Sequence, residues 1–254
     1  MMALSKNCIK YIRSLELKKN RKAERLFIAE GPKLVGDLLG HFPCRMLVAT
    51  PEWLAQHPVT EAKEVIEVTD NELSRVSLLK TPQQVLALFE QPDETTDTTI
   101  PQRELCLALD DVQDPGNLGT IIRLADWFGI RHIYCSPNTA DAFSPKVIQA
   151  TMGAIARVHV CYTPLPELIH SLDDTPVYGT FLDGDNLYKQ PLSKHGLIVM
   201  GNEGNGISKA VSALINRRIL IPNYPEGCVT SESLNVAIAT AVVCAEFRRQ
   251  ALTM

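Results

Sequence analysis

The feature that most constrains this chain is a series of short apolar runs between residues 104 and 203, each closing on polar or glycine residues: ELCLALDD, HIYCS, VHVCYT, VYGTFLDG and GLIVMGNE. Runs of this length without polar alternation are what strands buried on both faces look like. Helical stretches between them, GNLGTIIRLADWFG being the clearest, supply the crossovers. An α/β domain built on a parallel sheet is therefore predicted over 104–254.

Upstream, LFIAEG, RMLVAT, KEVIEVT and QVLALFE alternate with helical segments such as PKLVGDLLGHF. That pattern predicts a small, separate α/β domain over 1–90. The stretch between the two, QPDETTDTTIPQRE, is polar, rich in threonine and bracketed by prolines, so residues 91–103 are read as a linker.

Charge is unevenly distributed. The first 25 residues hold eight bases, Lys6, Lys10, Arg13, Lys18, Lys19, Arg21, Lys22 and Arg25, against Glu16 and Glu24, a local charge of +6. Because the whole chain of 254 residues carries −4, the remainder is −10. Such a basic block beside an acidic body suits local phosphate binding, with Lys18, Lys19, Arg21 and Lys22 at its centre, although a solvated helix face would have the same composition.

No apolar stretch is long enough to cross a bilayer, and the opening MMALSKNCIKYIRS has charges where a signal peptide needs an apolar block, so no membrane association and a cytoplasmic location are expected. The seven cysteines include no CxxC pair and lie mostly in apolar runs. They read as buried, reduced thiols and not as a disulfide frame or a metal site.

Three stretches exceed what a sheet core requires. In residues 110–129, Asp114-Pro115-Gly116 turns the chain into a helix, with Asn117 at its start and Arg123 less than two turns on. Gly116, Thr120 and Arg123 share one face, opposite a core-seeking stripe of Ile121, Leu124, Ala125 and Phe128. In residues 197–208 an apolar strand ends in Gly201-Asn202-Glu203-Gly204-Asn205-Gly206, where the glycines let backbone approach a ligand closely. The spacing is neither the GxGxxG of a dinucleotide fold nor a P-loop.

In residues 219–239 a short strand and a proline-bounded loop lead to Ser231, Ser233 and Asn235, at the opening of a last helix running from about Ser231 to Gln250. Ser231 and Ser233 are candidate caps. Asn235 is expected inside the helix, where an amide needs a partner. The charge-free segment VAIATAVVCA that follows should be buried on most sides.

Together the three stretches resemble, in order and spacing, the three motifs of the SpoU (TrmH) family of the SPOUT superfamily, RNA ribose 2′-O-methyltransferases with a trefoil knot. DPGNLGTIIR is similar to the first motif, IVMGNEGNGIS to the second and IPNYPEGCVTSESLNVAIA to the third. Upstream, RLFIAEGPKLVGDLL and TPQQVLALFE resemble the ribosomal-protein-like RNA-binding domain that often precedes the knot, except that Gln84 stands where the family tends to have glycine.

The resemblance implies a knotted methyltransferase domain behind a small RNA-binding domain, with S-adenosylmethionine as cofactor, no metal, and a homodimer formed through the first-motif and last helices. It gives Arg123 the action on the 2′-hydroxyl, as an activated base or as a clamp on the forming alkoxide, supported by Asn117, Ser233 and Asn235. It gives the cofactor to the backbone at Leu182, Asp183 and Gly184, to Gly201, Asn202, Glu203 and Gly204, and to Ile221 and Leu234. Ribosomal RNA is the expected substrate, with transfer RNA next. The competing readings are a noncatalytic RNA-binding module on the same fold, and an oxidoreductase suggested only by the glycine turn and lacking its fingerprint.

Overall fold

The structure is a computed structural model and describes residues 4–57, 61–93, 95–225, 228–229 and 233–253. The chain divides into two compact units, Met1–Asp93 with Asp141–Ala156, and Glu94–Ala140 with Arg157–Met254.

The first unit opens with α1 (Lys6–Ser14) and α2 (Lys18–Glu24), followed by β1 (Leu26–Glu30), α3 (Pro32–Leu38), β2 (Cys44–Ala49), α4 (Pro51–Gln56), β3 (Val65–Glu67), α5 (Asp70–Val76) and β4 (Val85–Glu90). The four strands read from the sequence form a sheet of order β1-β4-β2-β3, antiparallel except between β2 and β3. Ile12 and Leu15 of the N-terminal helix region pack with Leu73 and Val76 of α5 over Ile28, Val48, Leu86 and Leu88 of the strands. The start of α5 is fixed by a capping box between Thr69 and Glu72. At the turn before β4, Gln84 takes φ +38°, the left-handed region that glycine enters at little cost. Its Cβ makes that conformation costly, which accounts physically for the glycine preferred there.

From Leu105 on, the elements are β5 (Leu105–Leu109), α6 (Pro115–Trp127), β6 (His132–Cys135), α7 (Pro145–Thr151), β7 (His159–Tyr162), α8 (Leu165–His170), β8 (Val177–Asn186), β9 (Gly196–Met200), α9 (Lys209–Ser212), β10 (Arg217–Leu220) and α10 (Val236–Thr253); the strands follow in the predicted order, and all of these elements but α7 belong to the second unit. The sheet has order β10-β8-β9-β5-β6-β7 and every pairing is parallel. The chain winds outward from β5 to β7, then crosses to the other side for β8 and β9. This reversal beside β5 is where an open α/β sheet leaves a crevice at its carboxyl ends.

Two boundaries differ from the sequence reading. The stretch 91–103 is a linker only in its first part: Ile100 joins the core of the second unit, Tyr134 Oη donates to the Asp97 carbonyl at 2.6 Å, and a His159 ring nitrogen lies 2.9 Å from the Thr95 carbonyl. Residues 141–156, assigned by sequence to the 104–254 domain, belong to the first unit. There Phe143 packs on Phe27 with ring centroids 5.1 Å apart, and Gln149 Nε2 donates to the Glu30 carbonyl at 2.8 Å.

Arg21 secures the same segment. It is 3% exposed and donates to the carbonyls of Leu15 (2.8 Å) and Glu16 (2.6 Å) and to Asp141 Oδ2 (2.6 Å). This corrects its assignment to the phosphate-binding group, since a buried guanidinium held by Leu15, Glu16 and Asp141 is out of reach of an RNA phosphate. Lys18, Lys19 and Lys22, on the same helix, are exposed as expected.

The last helix begins at Val236, not near Ser231, which lies outside the described residues. Val236, Ala237, Thr240, Val243, Cys244 and Phe247 are buried, and Arg248 ties α10 to the end of α6 through the carbonyls of Phe128 (2.6 Å) and Gly129 (3.0 Å). The opposite side, with Ile238 55% exposed and Leu252 88% exposed, is uncovered and apolar except for Arg249, so one chain buries less of this helix than its composition predicts. All seven cysteines are free thiols, and burial pushes Cys106 and Cys244 up to about 12. Among the described residues no helix is long and apolar enough to cross a membrane.

Candidate active site

A cleft of about 420 Å³ in the second unit is lined by the middle of β8 (Thr180–Leu182), the loop after β9, the end of β10 and the start of α10. The β9 loop is shaped by its own backbone. Asn202 and Gly206 exchange backbone hydrogen bonds of 2.9 Å, and Asn202 Oδ1 accepts from the amides of Gly204 (2.9 Å) and Asn205 (3.0 Å). A Cβ on Gly201 would lie 2.3 Å from the Gly206 carbonyl carbon, so the loop can close this tightly only on glycine. Asn202 Nδ2 donates to the Asp111 carbonyl at 2.7 Å, and the buried carboxylate of Asp110 accepts from the Ser208 amide at 2.7 Å. The end of β5 thereby holds the loop at both ends.

α6 begins beside it. Asp114, not Asn117, is the cap: its carboxylate accepts from the Asn117 amide at 2.8 Å, and Pro115 fills the first helical position. The Asn117 side chain is thus released from capping. Its Nδ2 donates to Glu203 Oε1 at 2.7 Å, while its Oδ1 accepts from Asn235 Nδ2 at 3.0 Å.

Asn235 is itself the cap of α10 and not an interior residue. Its Oδ1 accepts from the amides of Ala237 (2.9 Å) and Ile238 (3.3 Å). The start of the helix and the assembly of the site therefore use opposite ends of one amide group.

Most predicted cofactor residues converge. Leu182, Gly201, Asn202, Glu203, Gly204, Ile221 and Leu234 line the cleft, and so does Ser233. Asp183 and Gly184 do not: Asp183 pairs with Arg218 at 2.5 Å, which holds its carboxyl below the usual range, and Gly184 lies against the backbone of Ile219. Arg123 is exposed on α6, outside the cleft lining, and makes no hydrogen bond or ion pair among the described residues.

Sequence reasoning missed Phe181, Leu220 and Ala239 in the lining and Asp110 as the anchor of the β9 loop, and it read Asp114 as part of the turn but not as the cap. The two aspartates had a legible signal. Carboxylates directly after an all-apolar strand, or just before Pro-Gly, are placed to accept backbone N–H groups.

The chain belongs to the SpoU rRNA methylase family, whose model matches residues 104–245, and an MRM3-like substrate binding domain matches residues 6–87. It is 30% identical to the 23S rRNA (guanosine(2553)-2'-O)-methyltransferase of Bacillus subtilis over 244 residues, 94% of this chain and 95% of that one. Among solved structures, a TrmH-family protein from Porphyromonas gingivalis matches with TM-score 0.90 and 45% identity, covering 98% of this chain and 100% of the other. An AdoMet-bound rRNA methyltransferase from Sinorhizobium meliloti matches with TM-score 0.84 and 32% identity, covering 98% and 97%.

Proposed function

We propose that this protein transfers the methyl group of S-adenosylmethionine to a ribose 2′-hydroxyl of ribosomal RNA. The observation that carries this reading is the Asn235–Asn117–Glu203 chain, which ties all three motif segments to the rim of one cleft. The activities named for the Bacillus and Sinorhizobium relatives agree with it.

The cleft suits the cofactor. Leu182, Ile221 and Leu234 offer an apolar lining, while the loop Gly201–Gly206 presents backbone where a side chain would obstruct. When bound, the cofactor supplies a sulfonium methyl that an oxygen nucleophile attacks in line. The protein must then hold the hydroxyl at attack distance and favour loss of its proton. Arg123 is the cation assigned to this oxygen. A guanidinium stays charged near neutrality, so its contribution is to stabilise the alkoxide as it forms. Ser233 and the Asn117–Asn235 pair position the ribose.

Two features of assembly complete the reading. We infer that the chain is knotted, a reading supported by Gly184 pressing against the Ile219 backbone and by Ile221, Ser233 and Leu234 lining the cleft with Leu182 of β8 and the β9 loop before α10 packs on α6. An experimental trace in which 221–235 passes outside those loops would end that inference. The protein is a homodimer whose contact includes the uncovered side of α10 and Trp127 of α6, which is 82% exposed. A monomer mass by native mass spectrometry would contradict it. We read the protein as cytoplasmic, which its free thiols and an RNA substrate support, and the first unit as the RNA-binding domain, which its match to a substrate binding domain supports.

The test is incubation with labelled S-adenosylmethionine and ribosomal RNA, followed by mass-spectrometric mapping of ribose methylation. Label at one 2′-oxygen is expected. Label only in transfer RNA would change the substrate, and cofactor binding without transfer would leave a noncatalytic module.

A further inference from the structure

We propose that the first unit contains a second recognition site, a pocket for one unpaired nucleotide of the RNA, at the sheet end where Leu26, Arg45 and Glu90 lie side by side. The proposal rests on the reading of the protein as an RNA methyltransferase and specifies how the substrate would be held away from the reacting ribose.

A cavity of about 470 Å³ opens there, between α1, the α2–β1 junction, the loop before β2 and the end of β4. Its size is in the range of a small-ligand site. Backbone groups are already satisfied at this end: the Glu90 amide donates to the Pro43 carbonyl at 3.0 Å and the Gln91 amide to the Arg25 carbonyl at 2.7 Å. Recognition therefore falls to side chains.

The wall carboxylates each have a donor. Glu24 accepts from Tyr11 Oη at 3.0 Å, Asp93 from Arg25 at 2.7 Å and Glu90 from Lys63 at 2.6 Å. Arg45, exposed on β2, makes no hydrogen bond or ion pair among the described residues. Its charge acts on Glu90 and Tyr11 beside it, while its guanidinium donors are left to bind an anion.

The remaining wall selects a flat, hydrogen-bonding partner for that anion. Phe42 is held edge-on to Phe27 with centroids 5.2 Å apart and lines the cavity together with Tyr11, which offers aromatic surface to a base. Gln91 Nε2 is bound to the Leu26 carbonyl at 2.9 Å, so its Oε1 remains as an acceptor for an exocyclic amine. An anionic group joined to a planar base is a nucleotide. The chain form is favoured over a free nucleotide because the wall residues Tyr11 and Arg25 sit beside the exposed cations Lys10 and Lys22, which would follow further phosphates.

The test uses the full chain. Nucleoside monophosphates should shift the amide resonances of Leu26, Arg45 and Glu90 saturably in the wild type and not in Arg45→Glu. Affinity for purified ribosomal RNA should fall about tenfold in Arg45→Glu, with cofactor affinity unchanged. If inorganic phosphate reproduces the shifts, the site is an anion hole and the proposal fails. If nucleotide binding is lost without loss of RNA affinity, the site serves a free nucleotide and the RNA assignment fails. If the wild type methylates no ribosomal RNA yet binds it through this pocket, the methyltransferase reading fails and the pocket stands.

Discussion

The side-chain amide of Asn235 donates to the Oδ1 of Asn117, 118 positions away in sequence, at 3.0 Å, while its own oxygen caps α10. One group thus starts a helix and fastens two motifs, and substitution can separate the two tasks. Asn235→Asp keeps an acceptor for the cap and removes the donor to Asn117. It should melt close to wild type and transfer methyl groups at least about tenfold more slowly. Asn235→Ala should lose both, with ~1 kcal/mol of stability gone in denaturant titration. Equal rates for wild type and Asn235→Asp would show that the link to Asn117 is dispensable.

Arg123 stands clear of the cleft lining. Its replacement by alanine should lower single-turnover methyl transfer by roughly 10²-fold or more and leave cofactor affinity, measured calorimetrically, near wild type. A large loss of cofactor binding would contradict the role given to it.

The basic block divides by burial. Arg21→Ala strands Asp141 beside a buried void and should cost about 3 kcal/mol in chemical unfolding. Replacing Lys18, Lys19 and Lys22 together should leave the Tm unchanged and reduce the slope of log affinity for RNA against log salt by about 2–3. An unchanged slope would return these lysines to a solvated face.

Gln84 occupies a left-handed backbone position. Gln84→Gly should raise stability by ~0.5–1 kcal/mol, after allowance for the greater freedom of glycine in the unfolded chain. A lower Tm would show that the Gln84 side chain makes a compensating contact.

Asp97 accepts from the Thr99 hydroxyl at 2.6 Å, the Thr99 amide at 2.9 Å and Arg103 at 3.1 Å. These bonds, the hydroxyl first, lower its carboxyl from 3.8 to about 2. Because the folded value lies below the unfolded one, its stabilising effect is present above pH 3.8 and is lost as pH falls through about 2. A carboxyl NMR titration with a midpoint near the ordinary value would show that this turn is not held in solution.

The strands were legible because burial on both sheet faces demands unbroken apolar runs, and GLIVM or LCLAL has few other uses. The glycine loop was legible because close backbone approach excludes side chains. Features that depend on distant partners were not. Asn235 looked interior because the apolar run after it hides the helix boundary and two serines before it resemble caps. Arg21 is indistinguishable from its neighbours until Asp141 arrives from 120 positions away. The destination of 141–156 had no local signature either, since its apolar residues fit any sheet, and only Phe27 and Glu30 identify which one they join.

That excursion bears on how this chain can be inherited. A recombination point in the polar stretch after β4 looks harmless, yet it would divorce Phe143 and Gln149 from the strand they cover. Exchange of the front unit between relatives should therefore succeed only when residues 141–156 travel with it, as an unlinked second fragment of the same heirloom.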